Sequence, residues 1–302
     1  MTAAEGAGMN VLGMDFGGTK VALRVETADG RADEARLRIA RGEPAHSVLD
    51  RAFDCARELV GRHGGIGAIG VSTPGIVFED RVELAPNVIG WSDLELGARL
   101  RDAFAVTALT IENDVKAAAL AECREGRLRG VDIGLYVNLG TGIAISPVIG
   151  GAVLRGAHGA AGEVGYGIVG PLHERGRPVI TLEEFAGGLG LDGRVAASSE
   201  VTATDTAELI AECADSDAAA RMWAEAVDEI ARHLITAALT VDPSRIAIGG
   251  GMTRAGGALL DPLSAALHRT LPYPPEVVLS DFGPDASLRG AVMLAREAQG
   301  AR

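Results

Sequence analysis

The sequence is poor in cysteine and in lysine. Three cysteines occur among 302 residues, none in a C-x-x-C pair, and only two of the 28 basic residues are lysine. An odd number of cysteines without metal-ligand spacing, and no Asn-x-Ser/Thr acceptor, favour a reduced protein over a disulfide-stabilised secreted one. The first ten residues also lack the basic and apolar segments of a signal peptide. We therefore expect a cytoplasmic protein.

Positive charge and long apolar runs are scarce as well. The formal net charge is −13, which opposes binding to nucleic acid or to an anionic membrane. Residues 133–154 carry no charge and are numerous enough to span a bilayer, but they include five glycines and a proline. A strand pair joined by a glycine turn suits this segment better. We expect neither a nucleic-acid nor a membrane partner.

Glycine is the residue in surplus, with 41 occurrences. Hydrophobic residues make up 47% and charged residues 23%, which is typical of globular proteins, and the length suits one large or two ordinary domains. The glycine content indicates many tight turns and close backbone approaches.

The hydrophobic pattern predicts two similar α/β halves. In the first, strands are expected at 10–16, 20–26, 36–39, 66–72 and 106–111, with helices at 47–60, 94–104 and after Asn113. In the second, strands are expected at 133–139, 143–149, 245–248 and 276–280, helices at 255–268 and 286–298, and a surface connection at 196–206. We predict two lobes with a cleft between them, 1–115 completed by the helix at 286–302, and 116–285.

A candidate phosphate-binding turn joins the first two predicted strands. It reads Asp15, Phe16, Gly17, Gly18, Thr19, Lys20. Glycines let backbone N–H groups approach a phosphate, and a preceding carboxylate can hold Mg²⁺ or its water shell. On its own, an ordinary hairpin turn explains this hexapeptide equally well.

Two further glycine clusters strengthen the nucleotide interpretation. The turn of the second predicted hairpin carries Gly140, Thr141 and Gly142, at the position equivalent to the first turn. The third cluster, Gly249, Gly250 and Gly251, ends a strand and is expected to open a helix, where N–H groups and the helix dipole favour a ribose or phosphate. The repetition predicts two opposed phosphate turns.

These motifs, taken with others in the same order, resemble the ROK family of sugar kinases over essentially the whole chain. The other blocks are Ser72-Thr73-Pro74-Gly75, the segments at 85–91, 112–114 and 155–165, and the glycines at 249–251. The resemblance implies the two-lobed actin/hexokinase/Hsp70-like (ribonuclease H-like) α/β fold with a nucleotide cleft between the lobes. It also implies ATP and Mg²⁺ as cofactors and a homodimer or homotetramer.

The resemblance further implies roles for individual side chains. Asp114 would be the catalytic base that accepts the proton of the attacking sugar hydroxyl, although a helix N-cap is the plainer interpretation of its position. Asp15 would hold Mg²⁺ through water or ATP. Amide, carboxylate and phenol groups would bind the sugar, from Asn87, Asn113, Glu163, Tyr166 and Glu183.

Several residues depart from the family pattern. Tyr166 replaces a histidine of the family's zinc site, and the stretch 171–181 contains no cysteine, so we expect no structural zinc. Lys116 stands where the family commonly has asparagine, and Ala144 where it commonly has glycine. For Lys116, a solvated helix face is the default expectation and a contact with sugar or phosphate the alternative.

The main hypothesis is an ATP- and Mg²⁺-dependent kinase acting on a hydroxyl, expected to be the 6-hydroxyl, of a hexose or amino-hexose. An amino sugar is a candidate because a carboxylate-rich pocket attracts an ammonium group. The alternatives are a non-catalytic sugar sensor and a kinase that uses polyphosphate. A DNA-binding repressor is disfavoured, since only about ten residues precede the first predicted strand.

Overall fold

The computed structural model describes residues 9–40, 42–78, 81–83, 90–91, 93–171 and 179–300. The chain forms two compact units: the first comprises Met1–Ala121, Arg155–Ala160 and Asp285–Arg302, the second Glu122–Leu154 and Ala161–Pro284. The lobe boundaries expected from the sequence stay a prediction. Among the helices of the described ranges, none combines the length and apolar character that a membrane span requires.

A five-stranded sheet organises the first unit. Its strands are β1 (Val11–Phe16), β2 (Lys20–Glu26), β3 (Ala32–Arg38), β4 (Ala68–Thr73) and β7 (Ala108–Asn113), in the order β3-β2-β1-β4-β7. The first three strands form an antiparallel meander, and β4 and β7 join in parallel. Two short strands, β5 (Ile76–Val77) and β6 (Val82–Glu83), form a separate antiparallel pair.

Helices cover this sheet and explain why β1 is buried at every residue. The helices of the unit are α1 (Ala45–Gly61), α2 (Leu96–Phe104), the start of α3 (Asp114–Arg124), and α9 (Ala286–Gly300). The apolar stripe of α1 packs with Leu12 and Met14, whereas Val11 packs with Val292 of α9. A Cβ on Gly13 would lie 2.6 Å from Val292, so this glycine is required for the close approach of α9.

A second five-stranded sheet organises the second unit. Its strands are β8 (Ile133–Leu139), β9 (Ile143–Ile149), β10 (Ala152–Val153), β13 (Arg245–Gly249) and β14 (Glu276–Leu279), in the order β10-β9-β8-β13-β14. Strand β9 is antiparallel to both β8 and β10, and β13 and β14 continue in parallel from β8. The order and directions match those of the first sheet, which confirms the two similar halves predicted from the sequence.

Helices and a short hairpin complete the second unit. The hairpin pairs β11 (Ile168–Val169) with β12 (Ile180–Thr181). The helices are α4 (Leu182–Ala186), α5 (Gly188–Ala197), α6 (Thr206–Glu212), α7 (Asp217–Val241) and α8 (Gly257–Thr270). The buried face of α7 packs against the sheet and α8 around Trp223, Ile230 and Leu234. Of the surface connection expected at 196–206, residues 198–205 lie between α5 and α6, and the remaining residues belong to the ends of these helices.

Candidate active site

The first glycine turn connects β1 to β2. Gly17 N–H donates to the carbonyl of Lys20 at 2.9 Å, which closes the turn. Gly18 and Thr19 at its tip are exposed. The exposed tip leaves the backbone of the turn accessible to a ligand, and its role in phosphate binding stays a prediction.

Asp15 lies just before this turn and is buried, with 7% of its surface exposed. The parallel register of β1 and β4 places it opposite Ser72, whose hydroxyl donates to Asp15 Oδ1 at 2.5 Å. Burial raises the pKa of Asp15, while the Ser72 hydrogen bond and the charge of Lys20 oppose the rise. Oxygen donors are the ligands that Mg²⁺ prefers, and a buried carboxylate gains from a nearby cation, so Asp15 fits a magnesium-holding role.

Asn113 and Asp114 lie where β7 ends and α3 begins. Asn113 Oδ1 accepts hydrogen bonds from the N–H groups of Val115 at 3.0 Å and Lys116 at 3.2 Å, and its Nδ2 donates to the carbonyl of Gly75 at 2.9 Å. Asn113 therefore caps the helix. Asp114 Oδ1 accepts from the Val115 N–H at 2.9 Å, and its side chain is half-buried.

A buried carboxylate that sequence reasoning missed supports this junction. Glu112 is 7% exposed; its Oε1 accepts the Asn113 N–H at 2.9 Å and its Oε2 lies 2.9 Å from Nε of Arg155. Burial raises the pKa of Glu112, against the charges of Arg155 and Lys116. A single glutamate before an Asn-Asp pair carries no sequence signal for this role, because its partner Arg155 lies 43 positions away.

The expectation that Lys116 lies on a solvated helix face is wrong. Its side chain is only 1% exposed in α3. The helix buries almost all of its residues, so a lysine in its first turn enters the interior, where its charge opposes the rise in the pKa of Glu112 that burial causes. Buried charges require a compensating charge, and Glu112 supplies one.

The segment after β4 is held by an aromatic contact. Trp91 Nε1 donates to the Thr73 hydroxyl at 2.8 Å, and its ring centroid lies 5.0 Å from that of Phe16. These contacts fix the backbone that carries Gly75, the acceptor for Asn113. Asn87, expected in the sugar site, lies outside the described residues.

The second glycine turn connects β8 to β9. Gly140 N–H donates to the carbonyl of Gly142 at 3.0 Å. Glu183 Oε2 accepts the N–H of Ile143 at 3.0 Å, and a Cβ on Gly142 would overlap this carboxylate. The carbonyl of Gly140 in turn accepts the N–H of Gly188 at 2.9 Å, at the start of α5. Glu183 and α5 therefore hold the turn in place.

The glycines of the third cluster differ in their surroundings, because two are tightly packed and one is open. A Cβ on Gly249 would overlap the Tyr136 hydroxyl, and Gly250 adopts a φ of 91° with no room beside Leu139. Gly251 has open space at its Cβ position. It opens a short 3-10 helix, Gly251–Ala255, and α8 begins only at Gly257, so the cluster does not open an α-helix directly as expected.

A cavity of about 320 Å³ lies beside the second and third glycine clusters. Its walls combine apolar side chains, two carboxylates and one guanidinium, from Gly140, Thr141, Gly188, Leu189, Asp192, Asp205, Thr206, Ala207, Ile210, Gly251, Met252, Arg254 and Ala255. Asp192 Oδ1 accepts from both the N–H and the hydroxyl of Thr206 at 2.7 Å, which fixes α5 against α6. The volume and mixed walls fit a ligand of the size of a nucleoside.

Three residues expected to bind the sugar lie together in the second unit. Glu163 precedes the 3-10 helix Val164–Tyr166, and Glu183 lies in α4. Partial burial raises the pKa of Tyr166, and the charges of Glu163 and Glu183 raise it further, although the side chain is 60% exposed. One phenol and two carboxylates thus form a polar, acidic group suited to sugar hydroxyls.

Most of the stretch 171–181, in which no zinc site is expected, lies outside the described residues. Its two ends are joined by the β11–β12 pairing of Ile168 with Thr181 and Val169 with Ile180. Thr181 and Glu184 form a capping box at the start of α4. Backbone pairing and helix capping therefore fix both ends of this stretch. Within the described ranges, no group of three or more His, Cys, Asp or Glu side chains could hold a metal ion.

The chain is similar to known proteins over nearly its whole length. The model of the ROK family matches residues 11–298. A glucokinase of Streptomyces coelicolor is 30% identical over 95% of this chain and 97% of its own. A kanosamine kinase of Amycolatopsis mediterranei is 31% identical over 94% of this chain and 95% of its own. The structure of a ROK family glucokinase from Streptomyces griseus, in complex with glucose and AMPPNP, superimposes with a TM-score of 0.77, 26% identity, and coverage of 95% and 99%.

Proposed function

Because the chain belongs to the ROK family, has its two-lobed hexokinase-like α/β fold and is a carbohydrate kinase, we propose that it transfers the γ-phosphate of ATP to a hydroxyl of a hexose or amino-hexose. The acceptor we propose is the 6-hydroxyl, which is the least hindered hydroxyl of a hexose. The observation that carries the proposal is the cavity of about 320 Å³ that adjoins the Gly140 and Gly251 clusters.

We assign the role of general base to Asp114. Its carboxylate would accept the proton of the attacking hydroxyl, and Asn113 fixes its position by capping α3. Glu112, which is paired with Arg155, accepts the backbone N–H of Asn113 and so helps to fix Asn113. Phosphoryl transfer depends mainly on positioning and charge neutralisation, so one well-placed carboxylate suffices to accept the proton of the sugar hydroxyl.

ATP with Mg²⁺ would supply the phosphoryl group and neutralise its charge. Asp15 would hold the metal ion through its water shell, and the turn formed by Gly17, Gly18, Thr19 and Lys20 would bind phosphate oxygens from the first unit. In the second unit, the turn of Gly140, Thr141 and Gly142, with Gly249, Gly250 and Gly251, would bind the remaining phosphates and the ribose.

The walls of the cavity favour a nucleotide over polyphosphate as the donor. Leu189, Ile210 and Met252 present apolar surface, which a purine base would cover and a polyphosphate chain would not. The Asp192 and Asp205 carboxylates would repel a polyanion but can accept hydrogen bonds from ribose hydroxyls.

The acidic group of the second unit bears on the choice of sugar. Glu163, Glu183 and Tyr166, together with Asn113 and Asn87, would accept and donate hydrogen bonds to ring hydroxyls. Two carboxylates would also attract the ammonium group of an amino sugar, and a relative at 31% identity is a kanosamine kinase. We therefore include amino-hexoses among the proposed substrates. We further propose that the enzyme is cytoplasmic and forms a homodimer or homotetramer.

ADP release tests the proposal directly. MgATP would be supplied with glucose, other hexoses, N-acetylhexosamines and free amino-hexoses, and MgATP would be compared with polyphosphate. Turnover that depends on sugar and falls at least about a thousandfold in Asp114→Asn supports the proposal. Asp54→Asn, an exposed substitution in α1, is the matched control and should leave turnover unchanged.

A sugar-binding sensor without kinase activity is the alternative function. In that case, sugars would raise the melting temperature of the protein, but no sugar would increase ADP release above that of Asp114→Asn. That pair of results would overturn the kinase proposal.

A further inference from the structure

A second cavity lies in the first unit, at the open edge of its sheet. Its volume is about 640 Å³, and its described walls come from the β5–β6 pair, α2, the edge strand β7 and Arg155. None of the described residues expected to bind sugar, phosphate or metal lines it.

The walls carry an excess of positive charge in an otherwise acidic protein. The described lining residues include three arginines, Arg81, Arg101 and Arg155, and one acidic residue, Glu95. The remaining wall is largely apolar, with Val77 and side chains of α2 and β7. Such walls suit a molecule that has both an anionic and an apolar part.

Arg101 is the guanidinium best placed for an incoming anion. Arg81 is already paired with Glu83 at 2.5 Å, and Arg155 with Glu112 at 2.9 Å. In the described part of the chain, Arg101 has no carboxylate within ion-pair distance.

We propose that this cavity binds a small organic phosphate, with the phosphate at Arg101 and the apolar part against β7 and the β5–β6 pair. Guanidinium groups form bidentate, charge-assisted hydrogen bonds to phosphate, which favours this group over a neutral one.

The cavity is also connected to the proposed catalytic base. Arg155 lines the cavity and pairs with Glu112, which accepts the N–H of Asn113 next to Asp114. An anion that attracts Arg155 competes with Glu112 for it. Bound anion should therefore lower sugar turnover, a consequence that rests on the proposed kinase function, whereas the binding itself does not.

Phenyl phosphate is a suitable probe because it combines one phosphate with one apolar ring. Calorimetric titration would be performed with the nucleotide site saturated by Mg²⁺ and AMPPNP, so that the phosphate turns are occupied. Benzoate tests a carboxylate in place of phosphate, inorganic phosphate tests the need for the apolar part, and benzyl alcohol is the uncharged control. We expect phenyl phosphate to bind most tightly.

Arg101→Gln should weaken phenyl phosphate binding about tenfold or more while AMPPNP affinity stays unchanged. Arg99→Gln removes a half-buried arginine of the same helix, paired with Asp50, and should have no effect on either ligand. Absence of saturable binding, or binding unaffected by Arg101→Gln, would overturn the proposed site. Binding that depends on Arg101 but leaves wild-type turnover unchanged would overturn only the connection to the reaction.

Discussion

Two carboxyl groups of the first unit remain buried at the cost of a raised pKa. Asp15 and Glu112 are each 7% exposed, and burial is the largest cause of the rise for both. Buried carboxylates without a function are rarely retained, because an apolar or amide side chain is better tolerated at such positions. Both groups adjoin residues of the proposed reaction centre, where Asp15 would hold the metal ion and Glu112 pairs with Arg155.

Asp15→Asn should stabilise the protein and impair the reaction. A raised pKa means that the ionised form is disfavoured in the folded state, so the penalty appears as the pH rises above the unfolded pKa near 3.8. The variant should be more stable at pH 7 by about 1 kcal/mol, with the difference vanishing at acidic pH. Urea unfolding at both pH values, without nucleotide, measures this.

Turnover with MgATP provides the second readout for Asp15→Asn. Loss of a group that holds the metal's water shell should reduce turnover about 10- to 100-fold. Ser72→Ala removes only the hydroxyl bonded to Asp15 and should lower stability without a gain at neutral pH. If Asp15→Asn were less stable than the wild type at pH 7, the burial argument would be contradicted.

Lys116→Met should destabilise the protein strongly. The substitution removes a buried positive charge and leaves the carboxylate of Glu112 less compensated, which costs about 3 kcal/mol or more. Glu112→Gln in the same chain should recover much of the loss, because the uncompensated charge is then removed as well. Chemical denaturation of the two single variants and the double variant measures this coupling, and strictly additive effects would show that the two charges do not interact.

At the scale of elements, the sequence was most informative where apolar alternation ends in a glycine turn. Strands β2, β8 and β9 have the predicted bounds, because Gly17-Gly18 and Gly140–Gly142 interrupt runs of β-branched residues. Strand β3 starts four residues before its predicted start, since its alternating charged residues at a sheet edge do not resemble a buried strand. Pairing with β2, not residue preference, forms this strand.

The nucleotide-sized cavity shows a different limit of sequence reasoning. Its glycines could be identified from their motifs, but Leu189, Asp192 and Ile210 come from α5 and α6. No helix with stated bounds was predicted at these positions. Common residue types on helices carry no motif, so tertiary packing alone brings them to the site.

Gly142→Ala should disturb the second turn without unfolding the protein. The added Cβ would displace the Glu183 carboxylate from the N–H of Ile143, so both the turn and a proposed sugar ligand shift. We expect kcat/KM for sugar to fall about 10- to 100-fold. Steady-state kinetics with circular dichroism as a folding check measures this.

Gly251→Ala is the matched comparison for Gly142→Ala. Its Cβ would meet no atom within 4 Å, so folding should be unaffected, and its position beside the cavity predicts a higher KM for ATP with little change for sugar. Equal effects of the two alanines on both substrates would contradict the separate roles assigned to these glycines.

At the scale of the whole chain, the last helix returns to the first unit and is fixed there by close packing. Cβ atoms on Gly70 and Gly290 would overlap the carbonyls of Ala291 and Ala117, respectively, so α9 lies directly against β4 and α3. Glu26 of β2 adds an ionic contact: it pairs with Arg296 of α9 at 2.7 Å. The sheet that carries Asp15 is thus completed by the chain's final helix.

Glu26→Gln should weaken this attachment in a pH-dependent way. Burial raises the pKa of Glu26, but hydrogen bonds and charges from Arg296 and Arg24 outweigh it, so the pKa is lowered from its usual 4.5. A lowered pKa contributes stability above the unfolded value that is lost as pH falls through the folded value. The variant should be less stable by about 1–3 kcal/mol at pH 7, with the difference vanishing in acid. Thermal or urea unfolding of both proteins between pH 7 and pH 3 measures the convergence. Since Gln keeps the size of the side chain, a difference that persists at pH 3 would indicate lost packing of α9, not a lost charge.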